Sequence, residues 1–123
     1  MRKTFIKKIL REGLNLPYKD LSTPEKWFKN ILNQMDVYKS PRYPNLILFH
    51  INKNVYMEYD KNFKTLYYDH KKIYSVLKSK FGLNYTQIKE LVKDMVEEYY
   101  KLEIYTTMMV SLAPTGRWRN IIN

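Results

Sequence analysis

Residues 46–68, Leu-Ile-Leu-Phe-His-Ile-Asn-Lys-Asn-Val-Tyr-Met-Glu-Tyr-Asp-Lys-Asn-Phe-Lys-Thr-Leu-Tyr-Tyr, decide the fold class. Three β-branched and aromatic runs, Leu46 to Ile51, Val55 to Tyr59 and Phe63 to Tyr68, are separated by Asn52-Lys53-Asn54 and Asp60-Lys61-Asn62. Such side chains suit a pleated, half-buried surface, and short Asn/Asp separators suit hairpin turns. Two three-residue hairpins with Asn last, in the left-handed position, fix a register. Ile51, Phe49 and Ile47 then face Val55, Met57 and Tyr59, which in turn face Tyr67, Thr65 and Phe63. All of these share one side of the sheet, which is the expected core. The other side carries Leu48, Glu58 and Lys64 in a row, with Glu58 and Lys64 as a cross-strand ion pair. His50, Tyr56 and Leu66 lie beside that row, with Leu46 and Tyr68 nearby. This half-apolar face needs a cover, either the N-terminal helices or a partner.

Working outward, Asp69 predicts the cap of a helix over about 70–81 with Ile73, Val76, Leu77 and Phe81 inward. Gly82 stops it and Leu83 folds back. Asn84 and Gln87 form a capping box for a helix to about residue 100, with Ile88, Leu91, Val92, Met95, Val96 and Tyr99 inward. Its mixed-sign outer face reads as solvated. Residues 102–110 read as a short extended segment, adding at most a fourth short strand. On the N-terminal side, Pro41 and Pro44 mark residues 36–45 as an extended connector. Thr23 is an N-cap followed by Pro24 and Glu25, and Trp27, Phe28, Ile31, Leu32 and Met35 form the buried stripe of a helix over 24–35. Residues 4–12 read as a shorter helix with an apolar stripe of Phe5, Ile6, Ile9 and Leu10 and a basic flank. That flank suits a membrane surface, a phosphate-contacting arm or a targeting segment, or an ordinary packed terminal helix.

The resulting expectation is α+β: a three-stranded antiparallel β-meander packed on a C-terminal helical hairpin, with two N-terminal helices covering part of the other face. The 123 residues are about one domain's worth, so 1–123 is read as a single domain. Its parts are an N-terminal helical region 1–35, the meander 46–68, the hairpin 70–101 and a tail 111–123. Apolar residues are 45% and aromatics 15%, enough for a core and against wholesale disorder. The absence of Cys excludes disulfide frameworks, thiol catalysis and Cys-based zinc sites. No apolar run reaches the roughly 18 residues of a membrane span.

Lys plus Arg is 22 against 12 Asp plus Glu, a net charge of +10. A surplus of this size attracts polyanions. Seventeen of the 22 are Lys, and Lys, Asn, Ile and Tyr together make 49 residues, all with AT-rich codons, so coding bias accounts for the same surplus. Arg is the better fork for phosphate and bases. Residues 1–53 carry 11 basic and 4 acidic groups, and five cations fall in the first eleven residues.

Three constellations bear on chemistry. Leu77-Lys78-Ser79-Lys80-Phe81-Gly82-Leu83-Asn84-Tyr85-Thr86-Gln87-Ile88 resembles the helix-turn-helix DNA-binding motif over about twenty residues. The resemblance implies Tyr85, Thr86, Gln87 and Lys89 as the groove-facing start of a recognition helix. Lys78 departs from the small residue the motif wants, and Glu90, Asp94, Glu97 and Glu98 put repulsive charge further along. The same glycine stop and apolar spacing also serve an ordinary helical hairpin. Secondly, Arg117-Trp118-Arg119 combines cations with a stacking ring, suited to nucleic acid or to a protein interface. Thirdly, a catalytic centre lacks support. His50 is mid-strand, His70 follows a cap, and Glu58, Asp60 and Asp69 each have a structural use. Three glycines allow no phosphate loop, and no cofactor or metal is expected.

The leading expectation is a non-catalytic nucleic-acid-associated protein, using Lys3, Lys7, Lys8, Arg11, Arg42, Arg117 and Arg119 on phosphates, with Trp118 or the segment Tyr85, Thr86, Gln87 and Lys89 adding stacking or groove contacts. The alternative is a protein-interaction or assembly module, such as a viral accessory or structural component or an inhibitor of a nucleic-acid enzyme, docking through Leu48, Tyr56, Leu66 and Tyr68 or through the terminal Trp118. Either fits a cytoplasmic, virus-associated or organelle-matrix setting.

Overall fold

Thr23, Pro24 and Glu25 begin the first helix as their chemistry demands. In the computed structural model, which describes residues 21–112, Thr23 is extended and its hydroxyl accepts from the Lys26 N–H at 3.2 Å, with Pro24 at the first helical position. This helix, α1, is Pro24–Gln34, and Trp27, Phe28, Ile31, Leu32 and Met35 are all buried. The strands are β1 (Asp36–Lys39), β2 (Leu46–Ile51), β3 (Asn54–Asp60), β4 (Thr65–Asp69) and β5 (Thr106–Val110). Between β4 and β5 stand α2 (Ile73–Phe81) and α3 (Tyr85–Tyr100). The five strands form one mixed sheet in sequence order, antiparallel through β4, with β5 parallel to β4.

This architecture corrects the expected three-stranded meander. Residues 36–39 are not connector but an edge strand, pairing Val37 with Phe49 and Lys39 with Ile47. Residues 106–110 form a fifth strand rather than an optional fourth. The helical hairpin is therefore not C-terminal to the sheet but is the crossover that a parallel connection requires. The expected second N-terminal helix also changes side. The α1 residues Trp27, Phe28, Ile31 and Leu32 share one core cluster with Val92 and Val96 of α3 and with Phe49, Met57, Tyr59, Leu66 and Tyr68 of the sheet. Helix α1 thus packs on the hairpin's face of the sheet. The expected first helix, 4–12, lies outside the described residues.

Both turns differ from the three-residue form. Ile51 pairs with Asn54, leaving a two-residue Asn52-Lys53 turn with φ of 53° and 71°. Two left-handed residues match the twist of the flanking strands. The pairing shifts between Phe49 and His50: Phe49 faces Met57 but His50 faces Val55, so Tyr56 is the extra residue of a β-bulge and joins the core cluster. The pairs Phe49–Met57 and Ile47–Tyr59 hold; Ile51–Val55 does not. In the next turn Asp60 pairs with Thr65, and Lys64, not Asn62, takes the left-handed position (φ 52°). Met57 therefore faces Tyr68 and Tyr59 faces Leu66, three positions from the expected register. An odd shift exchanges the faces of a strand. It puts Leu66 and Tyr68 in the core and sets Glu58 opposite Tyr67, so the expected Glu58–Lys64 pair does not form. On the second face Tyr38, Leu48, Glu58, Tyr67 and Met108 stand in a row across all five strands. Leu48 and Glu58 are buried there, as are Leu46 and Val55.

The hairpin follows its local signals. Asp69 accepts from the N–H groups of Lys71 (3.0 Å) and Lys72 (3.4 Å), shaping a turn, and α2 starts three residues later than expected, at Ile73. Gly82 is left-handed (φ 71°), its N–H reaching Lys78 O at 3.0 Å while Leu83 N–H reaches Leu77 O at 3.3 Å. Asn84 and Gln87 close the capping box at 2.8 and 2.9 Å. At the far end of α3 the Tyr100 hydroxyl donates to Leu32 O of α1 at 3.1 Å, and the Tyr99 hydroxyl to Asn33 Oδ1.

Two stability measurements test these assignments. A Cβ at position 82 would meet nothing within 4 Å, so Gly82→Ala costs only the left-handed conformation, about 1 kcal/mol in urea unfolding; Asn84→Ala loses the box and costs about the same. Burial pushes the Tyr100 phenol well above its ordinary value of 10.0, and the Tyr68 phenol likewise. The folded state then holds these groups neutral while the unfolded chain ionises them. Stability is fully present below about pH 10 and falls as pH rises beyond it. Tyr100→Phe should lower stability at neutral pH by about 1 kcal/mol while reducing the alkaline loss. Tyr68→Phe, removing a buried hydroxyl without a hydrogen-bond partner among the described residues, should leave neutral stability unchanged or slightly higher.

Candidate functional site

One end of the sheet gathers three connections. Lys39 ends β1, Leu46 begins β2, Asp60 ends β3, Thr65 begins β4 and Thr106 begins β5, and the register sets these positions side by side. The loops leaving this end are bound to each other through the main chain. Lys61 N–H donates to Asn45 O at 2.8 Å, and Tyr105 N–H donates to Lys64 O at 2.8 Å. The Asp60 carboxylate accepts from Asn45 Nδ2 at 3.2 Å and from Asn62 N–H at 2.9 Å, which holds the β3–β4 turn. Arg42, Lys61, Phe63, Lys64 and Tyr105 are carried on these loops.

Helix α3 supplies the adjoining wall. Tyr85, Thr86, Lys89, Glu90 and Lys93 line a groove of about 340 Å3 whose opposite side is Tyr105, Thr106 and Thr107. Three of the larger exposed hydrophobic side chains belong to this region: Tyr85 at 47%, Tyr105 at 64% and Phe63 at 71%. Each tyrosine has an ammonium near its ring face. Lys89 Nζ lies 5.2 Å from the Tyr85 centroid and Lys64 Nζ lies 5.8 Å from that of Tyr105. Lys64 also bridges Glu103 at 3.1 Å, and that carboxylate raises its ammonium above the ordinary value. Lys93 bridges Glu97 at 3.3 Å. The groove is thus aromatic and cationic, with Thr86, Thr106 and Thr107 and one acidic side chain, Glu90, on its lining, the Thr106 hydroxyl lying 2.9 Å from that of Thr65. Rings of this kind stack on planar ligands, and the ammonium groups balance anionic ones.

The residues singled out from the sequence are distributed as follows. Tyr85, Thr86 and Lys89 line the groove. Gln87 is exposed beside them, its Oε1 engaged by the Asn84 N–H. Arg42 is exposed on the β1–β2 loop, its guanidinium 5.9 Å from the Tyr43 ring centroid. Lys3, Lys7, Lys8, Arg11, Arg117, Trp118 and Arg119 lie outside the described residues. Of the residues expected for the alternative docking face, Tyr56, Leu66 and Tyr68 are core residues and Leu48 is buried on the opposite face, because the bulge and the register shift reassign them. His50 packs edge-on against Tyr38, whose hydroxyl lies 3.0 Å from its Nδ1. His70 sits in the turn after β4, its N–H donating to Val110 O at 3.2 Å. Among the described residues no three His, Asp or Glu side chains gather where a metal ion could be held. No helix there is long and apolar enough to cross a membrane.

Phe63, Lys64, Tyr105 and Thr106 were not indicated by the sequence. Tyr105 and Thr106 reach the groove only through the parallel pairing of β5, and Phe63 is exposed on the neighbouring loop because the four residues 61–64 leave it outside the sheet. The one local hint was a turn carrying Phe beside Lys. No protein-family model, curated protein or solved structure matches this chain.

Proposed function

We propose that the protein binds nucleic acid, without catalysis, through the cationic and aromatic end of its sheet. The observation that carries this reading is the groove in which Tyr85, Thr86 and Lys89 of α3 face Tyr105 and Thr106 of β5, with Lys64 beside it and Lys61 and Arg42 on the neighbouring loops. Ring faces with flanking ammonium groups are the chemistry that holds bases and phosphates. The charge balance supports it. Residues 21–112 carry 14 basic and 10 acidic groups, and the remaining 31 residues carry 8 and 2, so both sets of residues add attraction for a polyanion. Specific sequence readout is not part of this reading: the cations are mainly lysines, which act on phosphate as point charges. The protein-partner alternative gains less support, since Leu48, Tyr56, Leu66 and Tyr68 are all buried.

The test is the salt dependence of binding, followed by fluorescence anisotropy of a labelled oligonucleotide with the full chain. Engaging about four phosphates should weaken affinity roughly 50-fold over an about fourfold rise in salt. Lys64→Ala and Lys89→Ala should each lower the slope of log affinity against log salt by about 0.7 to 1. Lys71→Ala, past the opposite end of β4, should leave it unchanged. A binding constant flat across salt overturns the reading.

A further inference from the structure

We infer that the ligand of this end of the sheet is a single strand and that the groove takes an unpaired base against the exposed ring of Tyr85 or of Tyr105. This rests on the nucleic-acid reading and goes beyond it by naming the strand state. A duplex-reading helix-turn-helix needs the start of its second helix free to enter a major groove about 12 Å wide. Here Thr86, Lys89 and Lys93 of α3 line a groove whose other side is Tyr105, Thr106 and Thr107, so these side chains face β5 and do not stand clear of the rest of the fold. A groove of about 340 Å3 is at the small-ligand end of the scale of binding sites, suited to a base and its sugar.

The aromatic chemistry points the same way. In a duplex the base faces are stacked on each other and cannot meet a side chain, whereas an unpaired base offers its face to an exposed ring. Tyr85 and Tyr105 line the groove and are 47% and 64% exposed, and Phe63, one residue from the Lys64 carbonyl that holds Tyr105, is the most exposed of the large hydrophobic side chains among the described residues. A buried role does not account for these rings. Lys64 and Lys89, each set near one of the tyrosine rings, are placed for the phosphates on either side of a stacked base. The Glu90 carboxylate in the lining disfavours a phosphate entering the groove itself and leaves that space to the base.

The experiment compares a single strand of about twelve nucleotides with the duplex of the same sequence, at one low salt concentration, on wild type, Tyr85→Ala, Tyr105→Ala and Tyr105→Phe. The single strand should bind at least roughly tenfold more tightly than the duplex. Each alanine variant should weaken single-strand binding about 5- to 100-fold with an unchanged salt slope, while Tyr105→Phe keeps near wild-type affinity. Both tyrosines are exposed, and unchanged circular dichroism and melting temperature establish that the variants fold. An independent readout on wild type is photocrosslinking of a halogenated uracil in the single strand, expected at Tyr85 or Tyr105. Equal, salt-dependent binding of duplex and single strand with silent alanine variants overturns this inference and leaves the nucleic-acid reading standing. Salt-independent or absent binding to both overturns the two together.

Discussion

The parallel pairing of β5 with β4 is the constraint on which the rest of the molecule depends. A parallel neighbour cannot be reached by a tight turn, so the chain must leave the sheet and return to the same end. The α2–α3 hairpin is that detour, and its apolar side must then cover one sheet face. Ile73, Leu77, Ile88, Val92 and Val96 do so against Met57, Tyr59, Leu66 and Tyr68. The same return brings the start of β5 beside α3, with Tyr105 held by Lys64 O. The groove is therefore a by-product of topology: a strand that arrives in parallel must begin where β4 begins, and the first half of α3 lies alongside.

Helix α1 completes the core from a distance. Its Trp27–Phe28 pair enters the cluster shared by the hairpin and the sheet, and its C-terminal turn is held by hydroxyls from the end of α3. Those contacts join residues 66 and 68 positions apart in sequence. Sheet, hairpin and α1 share one hydrophobic cluster, so none of the three has an apolar face left for independent folding.

The parts of this fold legible in the sequence are those whose signals are local. Thr23-Pro24-Glu25 set the start of α1, Gly82 the break between α2 and α3, and Asn84 with Gln87 the start of α3; each is a main-chain hydrogen-bonding problem solved within six residues. The β runs were legible as strands but not in their register. Asn52, Lys53 and Asn54 offer two Asn side chains tolerant of a left-handed backbone, and the choice of a two-residue turn is made by strand twist and by the bulge that sends Tyr56 into the core. The odd shift at residues 61–64 followed from a left-handed Lys64, which no propensity announces. Strand β1 was hidden by its four-residue length between a helix and two prolines, and β5 by a partner some forty residues away. The groove shows the same division. Tyr85, Thr86 and Lys89 were visible as the start of a helix, while Tyr105 and Lys64 became neighbours only through β5.

The loops at this end of the sheet are tied together mostly by peptide groups: Ser40 N–H to Leu46 O, Lys61 N–H to Asn45 O, Tyr105 N–H to Lys64 O. Asp60 with Asn45 and Lys64 with Glu103 are side-chain exceptions. Main-chain ties are indifferent to residue type, so Arg42, Lys61, Phe63 and Tyr105 can be exchanged for other side chains while the loops keep their shape. Scaffold and surface are in this sense uncoupled, and descendants of this chain are free to acquire new ligand preferences without first solving the folding problem again.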